Sequence, residues 1–371
     1  NPFMPYATAA PDGSRLELSR GIFAEIVRRL EEAGEIRQKF TFHEEYLKLI
    51  LDRMTAEAGV DVLFHAQLTG VRRDGRRIAG LTFSGKQGSF DLEADYYVDA
   101  TGDADLAYLA GCPFRLGRDG DSLCQPMTLC FRLANVDKER FRAHCGEIDP
   151  LYQKLQREGK IRNPREDVLI FDTMVPGMLH FNTTRIVRLD PTDPLDLSRA
   201  EREGREQMFE MFRFLRENIP GFENSELAFS APSVGVRESR MIDGLHVLTA
   251  EELLAETRFP DAVAAGNYDI DIHNPEGSGT SHRYFPDGAY YTIPFRSLVP
   301  RGTDNLLVGG RCISATHEAQ ASVRIMPICA TTGEAAGVGA AVAKKAGVPV
   351  PEADTDEIRR ILLANGAFLG A

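Results

Sequence analysis

No stretch of the chain approaches the roughly 18 uncharged apolar residues that a membrane helix needs. The nearest is the short gap between Glu334 and Lys344, so no membrane partner is expected. Cysteine is sparse, with six in 371 residues and no C-x-x-C pair among Cys112, Cys124, Cys130, Cys145, Cys312 and Cys329. That excludes a dense disulfide framework and argues against zinc or iron–sulfur ligation. No metal is expected, and a reducing, cytoplasmic compartment is the default. Surplus positive charge is missing too: 43 basic residues against 55 acidic ones leave a net charge of −12. The doublets Arg28-Arg29, Arg72-Arg73 and Arg76-Arg77 lie among acidic neighbours and read as solvated faces. A surface of that sign repels a phosphate backbone, so no nucleic-acid partner is expected. The remainder, 43% hydrophobic and 26% charged, is an ordinary folded chain. At about 150 residues per domain it is long enough for two domains or one large one.

The chain opens at Asn1-Pro2-Phe3, without Met or a signal-peptide pattern, and is expected to be processed, cut or incomplete. Ser19 is placed to cap a helix reaching about Gly34, with Ile22, Phe23, Ile26, Val27 and Leu30 on one face. Thr41-Phe42-His43-Glu44 has the form of a capping box before a second helix ending at Gly59. The period then changes. Val62-Leu63-Phe64 reads as a strand, followed by turns at Asp74-Gly75 and near Gly85–Gly88, and by a buried run from Tyr96 to Ala100. The middle of the chain mixes short strand-like runs (127–134, 166–171, 179–188, 225–231) with helices capped at Ser198 and Thr249. Residues from Asp269 to Gly288 read as an irregular ordered loop. Near the end, Asn305–Val308 forms a strand. A helix then runs from about Ser322 or Pro327 to Ala346, carrying so many Gly and Ala residues that something must pack close to its backbone.

Two constellations repeat one geometry of buried strand, glycine turn and helix. They are Val98-Asp99-Ala100-Thr101-Gly102-Asp103 and Leu307-Val308-Gly309-Gly310. Each brings backbone N–H groups to the carboxyl edge of a sheet, where a diphosphate-bearing cofactor is the natural guest. Either one alone is common in α/β proteins. Both together, after a meander, are more specific, and the reading requires the two turns to lie side by side.

The segments 96–120 (YYVDATGDADLAYLAGCPFRLGRDG), 125–133 (QPMTLCFRL), 271–279 (DIHNPEGSG) and 290–337 resemble the FAD-dependent oxidoreductase family. That family has the glutathione-reductase-like flavoprotein fold and distant kinship to fumarate reductases and heterodisulfide-reductase flavoproteins. The resemblance implies an α/β chain with an FAD/NAD(P)-binding-type parallel sheet, an antiparallel meander and an inserted mixed α+β substrate or cap domain. The implied divisions are 1–120, 121–300 and 301–371. It also implies FAD as cofactor. Thr101, Gly102 and Asp103 would lie beside its phosphates or adenosine, and Gly309, Gly310 and Arg311 along its diphosphate and ribityl chain, with Ser314 nearby. Arg324, Pro327 and Ile328 would face the pyrimidine edge of the ring. One departure is plain: no G-x-G-x-x-G follows a strand anywhere, and Asn1–Tyr6 resembles what the family carries after that unit. The chain is therefore expected to be a piece of a longer one, or to bind FAD poorly.

His273 and His282 flank a Gly-rich segment and could pass protons, or could be solvated or structural. Arg296 could clamp a carboxylate, or could hold an ion pair between domains. His317, followed by Glu318, lies close in sequence to the expected ring. Arg237-Glu238-Ser239-Arg240 reads as an interdomain ion-pair network, and Cys312 as a lone thiol. Ser278 and Ser281 lack a nucleophile elbow, and Asp119 and Asp121 fall short of a calcium loop. The leading reading is hydride transfer between a small organic substrate and flavin, with an unknown electron acceptor and a possible homo-oligomer. A non-redox binding or assembly module, and a lyase or hydrolase acting on a carboxylate or carbohydrate, are the alternatives.

Overall fold

The computed structural model describes residues 2–370. At its centre Tyr97–Asp99 pairs in parallel with Leu306–Val308, placing Asp99 opposite Val308. Leu306, Leu307 and Val308 are all fully buried, as a strand covered on both faces requires. The expected meander is present as Gln67–Asp74, Arg77–Gly85 and Gly88–Leu92, with Gly75 in the left-handed region at its first turn. Asn305 fastens the meander to the parallel pair. Its amide accepts from Ile78 N–H at 2.8 Å and donates to the Ile78 and Asp95 carbonyls, each at 2.9 Å.

The helix Met326–Ala346 lies against these strands, and their packing explains its composition. A Cβ at Gly339 would meet Phe295 Cε2 at 2.6 Å and Leu307 Cδ1 at 3.2 Å, whereas one at Gly337 would meet nothing within 4 Å. Two opposite outcomes follow from one kind of substitution. Gly339→Ala should lower stability by about 1–3 kcal/mol through overpacking, despite the gain in helix propensity. Gly337→Ala should raise it by up to about 1 kcal/mol. Chemical denaturation of both variants measures the contrast.

Of the two expected starts for the long helix, the one at Pro327 is found: the helix runs Met326–Ala346, and Ser322 belongs to a separate helix, His317–Val323, that meets it at 95°. Pro327 sits in the first turn of the second, where its missing N–H costs nothing. No single helix among the described residues is long and apolar enough to cross a membrane.

A second core lies in the middle of the chain. Its four-stranded antiparallel sheet runs Ile170–Asp172, Leu179–Phe181, Phe131–Ala134, Glu226–Ser230. Phe131, Leu133 and Phe181 pack there with Met211 and Leu215 of the helix Pro194–Asn218. Residues from Ile242 to Val299, by contrast, share the core of Leu306–Val308, so the hydrophobic core runs across the expected division at residue 300.

Several local expectations are corrected. Ser19 caps nothing: the helix Ile22–Glu32 starts after Gly21, and Ile22 N–H donates to Glu334 Oε2 at 2.9 Å. The helix Glu44–Glu57 follows His43 without a side-chain cap, because Thr41 belongs to a short strand. Asp193, not Ser198, caps the long middle helix, while the Ser198 hydroxyl donates to Pro194 O. The box at Thr249–Glu252 is present. Val62-Leu63-Phe64 forms no strand; Leu63 and Phe64 are 59% and 67% exposed, with no partner strand among the described residues. The stretch expected as an irregular loop contains the hairpin Ile270–His273/Thr280–Arg283.

Candidate active site

Both glycine turns leave the same end of adjacent parallel strands. Asp99, fully buried, braces the first: its carboxylate accepts from Thr101 N–H at 3.0 Å, Thr101 Oγ1–H at 2.7 Å and Ala107 N–H at 2.9 Å. Gly309 N–H of the second turn donates to Asp99 O at 3.0 Å. An ion pair locks the turns together, Arg311 Nη2 to Asp103 Oδ1 at 2.6 Å, and Ser239 Oγ donates to the same carboxylate oxygen at 2.5 Å. Gly102 is left-handed (φ +81°), and a Cβ there would press on the Arg311 guanidinium at 2.9 Å. A Cβ on Gly309 would meet Gly333 Cα at 3.0 Å, whereas the space around Gly310 (φ +88°) is open.

The residue before Ser239 starts a second network further inward. Glu238, fully buried, accepts from Gln125 N–H at 2.8 Å and contacts His317 Nδ1 at 2.7 Å. Burial alone would lower the His317 pKa, but the Glu238 carboxylate outweighs it and the net shift is upward. Gln125 donates to Gln320 Oε1 at 3.1 Å and accepts from His273 N–H at 3.4 Å. That last contact reaches a second cluster built on the hairpin. Strand alternation puts Asp271 and His273 on the same face of the strand Ile270–His273, and the register sets His282 opposite Asp271. Asp271 Oδ2 lies 3.3 Å from His273 Nε2, 3.4 Å from Arg324 Nη2 and 3.1 Å from Tyr268 OH, and Oδ1 faces His282 Nε2 at 3.6 Å. Burial would raise this carboxyl's pKa, but His273, Arg324 and His282 together hold it far below the usual carboxylate range. Burial, reinforced by the Arg237 charge, pushes His273 down to about 3. Its Nδ1 is taken up by Arg185 Nη2 at 3.0 Å and Thr280 Oγ1 at 3.1 Å. His282 also contacts Asp269 and stacks on Tyr284 at 5.4 Å.

The structure thus brings His273, His282, His317 and Arg324 into one polar network, tied to Asp103 and Arg311 only through the adjacent residues Glu238 and Ser239. It does not bring Arg296 there. That guanidinium pairs with Asp261, Nε to Oδ2 at 2.9 Å and Nη2 to Oδ1 at 3.2 Å, in a separate surface cleft beside Pro351 and Thr355. A free carboxylate clamp at Arg296 is therefore corrected to an ion pair. Ser314 is buried with its hydroxyl accepting from Gly244 N–H at 3.0 Å, and the Ile328 side chain packs against Gly266. Neither side chain reaches into the groove, so any contact from Ile328 comes from its main chain. Cys312 is buried, its thiol pushed up to about 12 by burial, and Asp121 is paired with Arg118 at 2.7 Å. Within the tetrad set aside as an ion-pair network, Arg240 does pair with Asp105 at 2.9 Å. Glu238, however, is the partner of His317. Sequence reasoning missed it, and missed Asp271, Gln125 and Gln320 as well. For Asp271 a signal existed: Asp269, Asp271 and His273 alternate at the strand period.

Several groups at this site could hold FAD. Arg311 Nε and Arg324 Nε are buried without a hydrogen-bond partner. Gly310 opens onto free space, and Met326 at the start of the long helix is 46% exposed. Unmet donors, a glycine with room beside it and a helix start suit a flat group carrying partial negative charge. These residues fit the cofactor. The outer edge of Tyr97–Asp99 has no partner strand among the described residues, and Val98 there is 38% exposed.

The profile of the FAD dependent oxidoreductase family matches residues 1–362. No curated protein matches the chain. Among solved structures, it is similar to p-nitrophenol 4-monooxygenase from Pseudomonas putida, with 10% identity, a TM-score of 0.40, and 100% of this chain and 70% of that one covered. It is also similar to a geranylgeranyl bacteriochlorophyll reductase-like protein from Thermoplasma acidophilum, with 12% identity, a TM-score of 0.40, and 99% and 66% covered. A flavin-dependent brominase gives 13% identity, a TM-score of 0.40, and 88% and 60% covered. The chain therefore spans 60% of the length of the brominase and 70% of that of the monooxygenase. With the family profile covering almost every residue, the chain belongs to the FAD dependent oxidoreductase family, and its cofactor is FAD.

Proposed function

We propose that the protein exchanges a hydride between a small organic substrate and flavin, with His317 moving the accompanying proton. Bound FAD supplies the two-electron chemistry. The reading is carried by His317, which lines a cleft of about 460 Å³ with Arg118, Thr280 and Glu318 and is held by buried Glu238, whose chain neighbour Ser239 donates to the Asp103 carboxylate that pairs with Arg311.

Glu238 occupies His317 Nδ1, leaving Nε2 for the substrate. A histidine held beside a carboxylate takes a proton from a substrate O–H or N–H as the hydride departs, and returns it in the reverse direction. His273, held neutral near pH 7, is suited to positioning the hairpin rather than to acid catalysis. Asp271 stays ionised and fixes Arg324 and His282.

His317→Gln should keep the fold and the yellow colour yet lower kcat by about 10²–10⁴, and remove one limb of the pH–rate profile. A profile with both limbs intact in that variant would overturn the role of His317. A full-length protein whose flavin no organic substrate bleaches would overturn the hydride reading itself.

A further inference from the structure

Ile272 and Pro275 are the only apolar side chains in the wall of the His317 cleft. The rest of that wall carries hydroxyl, amide, guanidinium, imidazole and carboxylate groups. An apolar guest finds little hydrocarbon to bury against there, whereas a polar one can replace its water with protein partners. One side is also rigidly built. Arg185, its side chain only 1% exposed, sits behind the segment 277–280: Nη1 donates to Gly277 O at 3.1 Å and Gly279 O at 2.9 Å, and Nη2 to Thr280 Oγ1 at 2.9 Å. Glu166 supplies the counter-charge and accepts from Gly279 N–H at 3.1 Å and Thr280 Oγ1–H at 2.6 Å. The exposed hydroxyls of Ser278 and Ser281, by contrast, have no hydrogen-bond partner among the described residues.

The charges on the wall disfavour an anion. Arg118 is its only arginine or lysine, and that guanidinium is doubly occupied, by Asp121 at 2.7 Å and Glu276 at 2.8 Å. Glu318, exposed and next to His317 in the first turn of its helix, has neither an ion pair nor a hydrogen bond among the described residues. Three carboxylates against one guanidinium leave this part of the surface negative, on a chain that already carries a net charge of −12. His317 is the buried member of the wall, its side chain 6% exposed. Glu238 holds its Nδ1, so Nε2 is the ring nitrogen left for a guest. The unspent groups are thus one imidazole nitrogen, one carboxylate and two hydroxyls, a set that matches several O–H groups on one molecule.

We propose that the substrate is a polyhydroxylated alcohol without negative charge, one hydroxyl donating to His317 Nε2 and neighbouring hydroxyls donating to the Glu318 carboxylate. The proposal rests on the hydride-exchange reading of the same cleft and names its substrate class. The carbinol C–H bond breaks and its hydride passes to flavin, the O–H proton goes to His317 Nε2, and the C–O bond becomes a carbonyl. A carboxylate suits vicinal hydroxyls because each of its two oxygens accepts one donor. Ser278 and Ser281 serve hydroxyls further along the molecule.

Calorimetric titration of the full-length flavoprotein tests this, with the flavin reduced beforehand so that binding is read without turnover. The probes are methyl glucoside, methyl galactoside, sorbitol, cyclohexanol and methyl glucuronide. The tightest of the three polyols is expected to bind at least about tenfold more tightly than cyclohexanol, through its additional hydrogen bonds. Methyl glucuronide should bind at least about threefold more weakly than methyl glucoside at low salt, and the gap should close as ionic strength rises. Glu318→Gln, a substitution at an exposed position that leaves the fold intact, should weaken polyol binding about fivefold and close the glucuronide gap. Cyclohexanol binding as tightly as every polyol, glucuronide binding as tightly as glucoside at low salt, or polyol affinity unchanged by Glu318→Gln would each overturn the assignment. Polyol selectivity that depends on Glu318, in a protein whose oxidised flavin no organic substrate bleaches, would sink the hydride reading alone. Bleaching by organic substrates without that selectivity would sink this proposal alone.

Discussion

Glu238→Ala is expected to cost about 3–5 kcal/mol of folding stability, the range for breaking a buried ion pair by removing one member. The carboxylate is fully buried and serves two neighbours, the His317 ring at 2.7 Å and Gln125 N–H at 2.8 Å. Alanine would leave both without that partner, and the Gln125 N–H lies on a fully buried residue. Glu238→Gln keeps the shape and one acceptor, so it should cost much less while still removing the charge that lifts the His317 pKa. The sign of the pH effect follows. A histidine whose folded pKa is raised contributes stability that is fully present below its unfolded value, near 6.5, and is lost as pH rises through the folded value. The stability gap between wild type and Glu238→Gln should therefore be widest below about pH 6.5 and shrink above it. Denaturation curves collected across that range measure it. A gap that widens with pH would show that Glu238 does not raise the His317 pKa.

The parts of this chain that the sequence revealed are those where local pattern and chemistry coincide. The strand–glycine–turn units at Asp99–Asp103 and Val308–Arg311 could be read because a buried strand must end in residues able to turn sharply, and the structure sets the two side by side. The meander was legible from Asp74-Gly75 and the alternation around it. His273, His282 and His317 stood out by residue type. Their partners did not, because Glu238 and Gln125 meet across 113 residues, Glu238 and His317 across 79, and Arg324 and Asp271 across 53. No local periodicity carries that information. Arg296 shows the opposite error: a conspicuous arginine after a strand looks available until the fold supplies Asp261. Val62–Phe64 shows a third. Its apolar run has strand composition, but a strand also needs a neighbour, and the described residues offer it none.

Asp271→Asn should be nearly as damaging as Glu238→Ala, for a reason that concerns charge rather than shape. Asparagine fits the same volume and can still contact His273 and Tyr268, so packing alone predicts a mild effect. The carboxylate, however, is the anion nearest to Arg324, at 3.4 Å, and its charge also acts on Arg237, which repels Arg324. Neutralising Asp271 removes the anion that offsets the repulsion between these two largely buried guanidinium groups. Removing one member of such a pair typically costs about 3–5 kcal/mol. Because the Asp271 pKa is depressed by folding, its contribution is present above the unfolded carboxyl value of 3.8 and disappears as pH falls through the lower folded value. The wild-type advantage over Asp271→Asn should hold steady from neutral pH down to about pH 4 and collapse below it. If the two proteins instead unfold together at pH 7, the arginines find their counter-charge elsewhere, and Asp271 is not the residue that holds Arg324 in place.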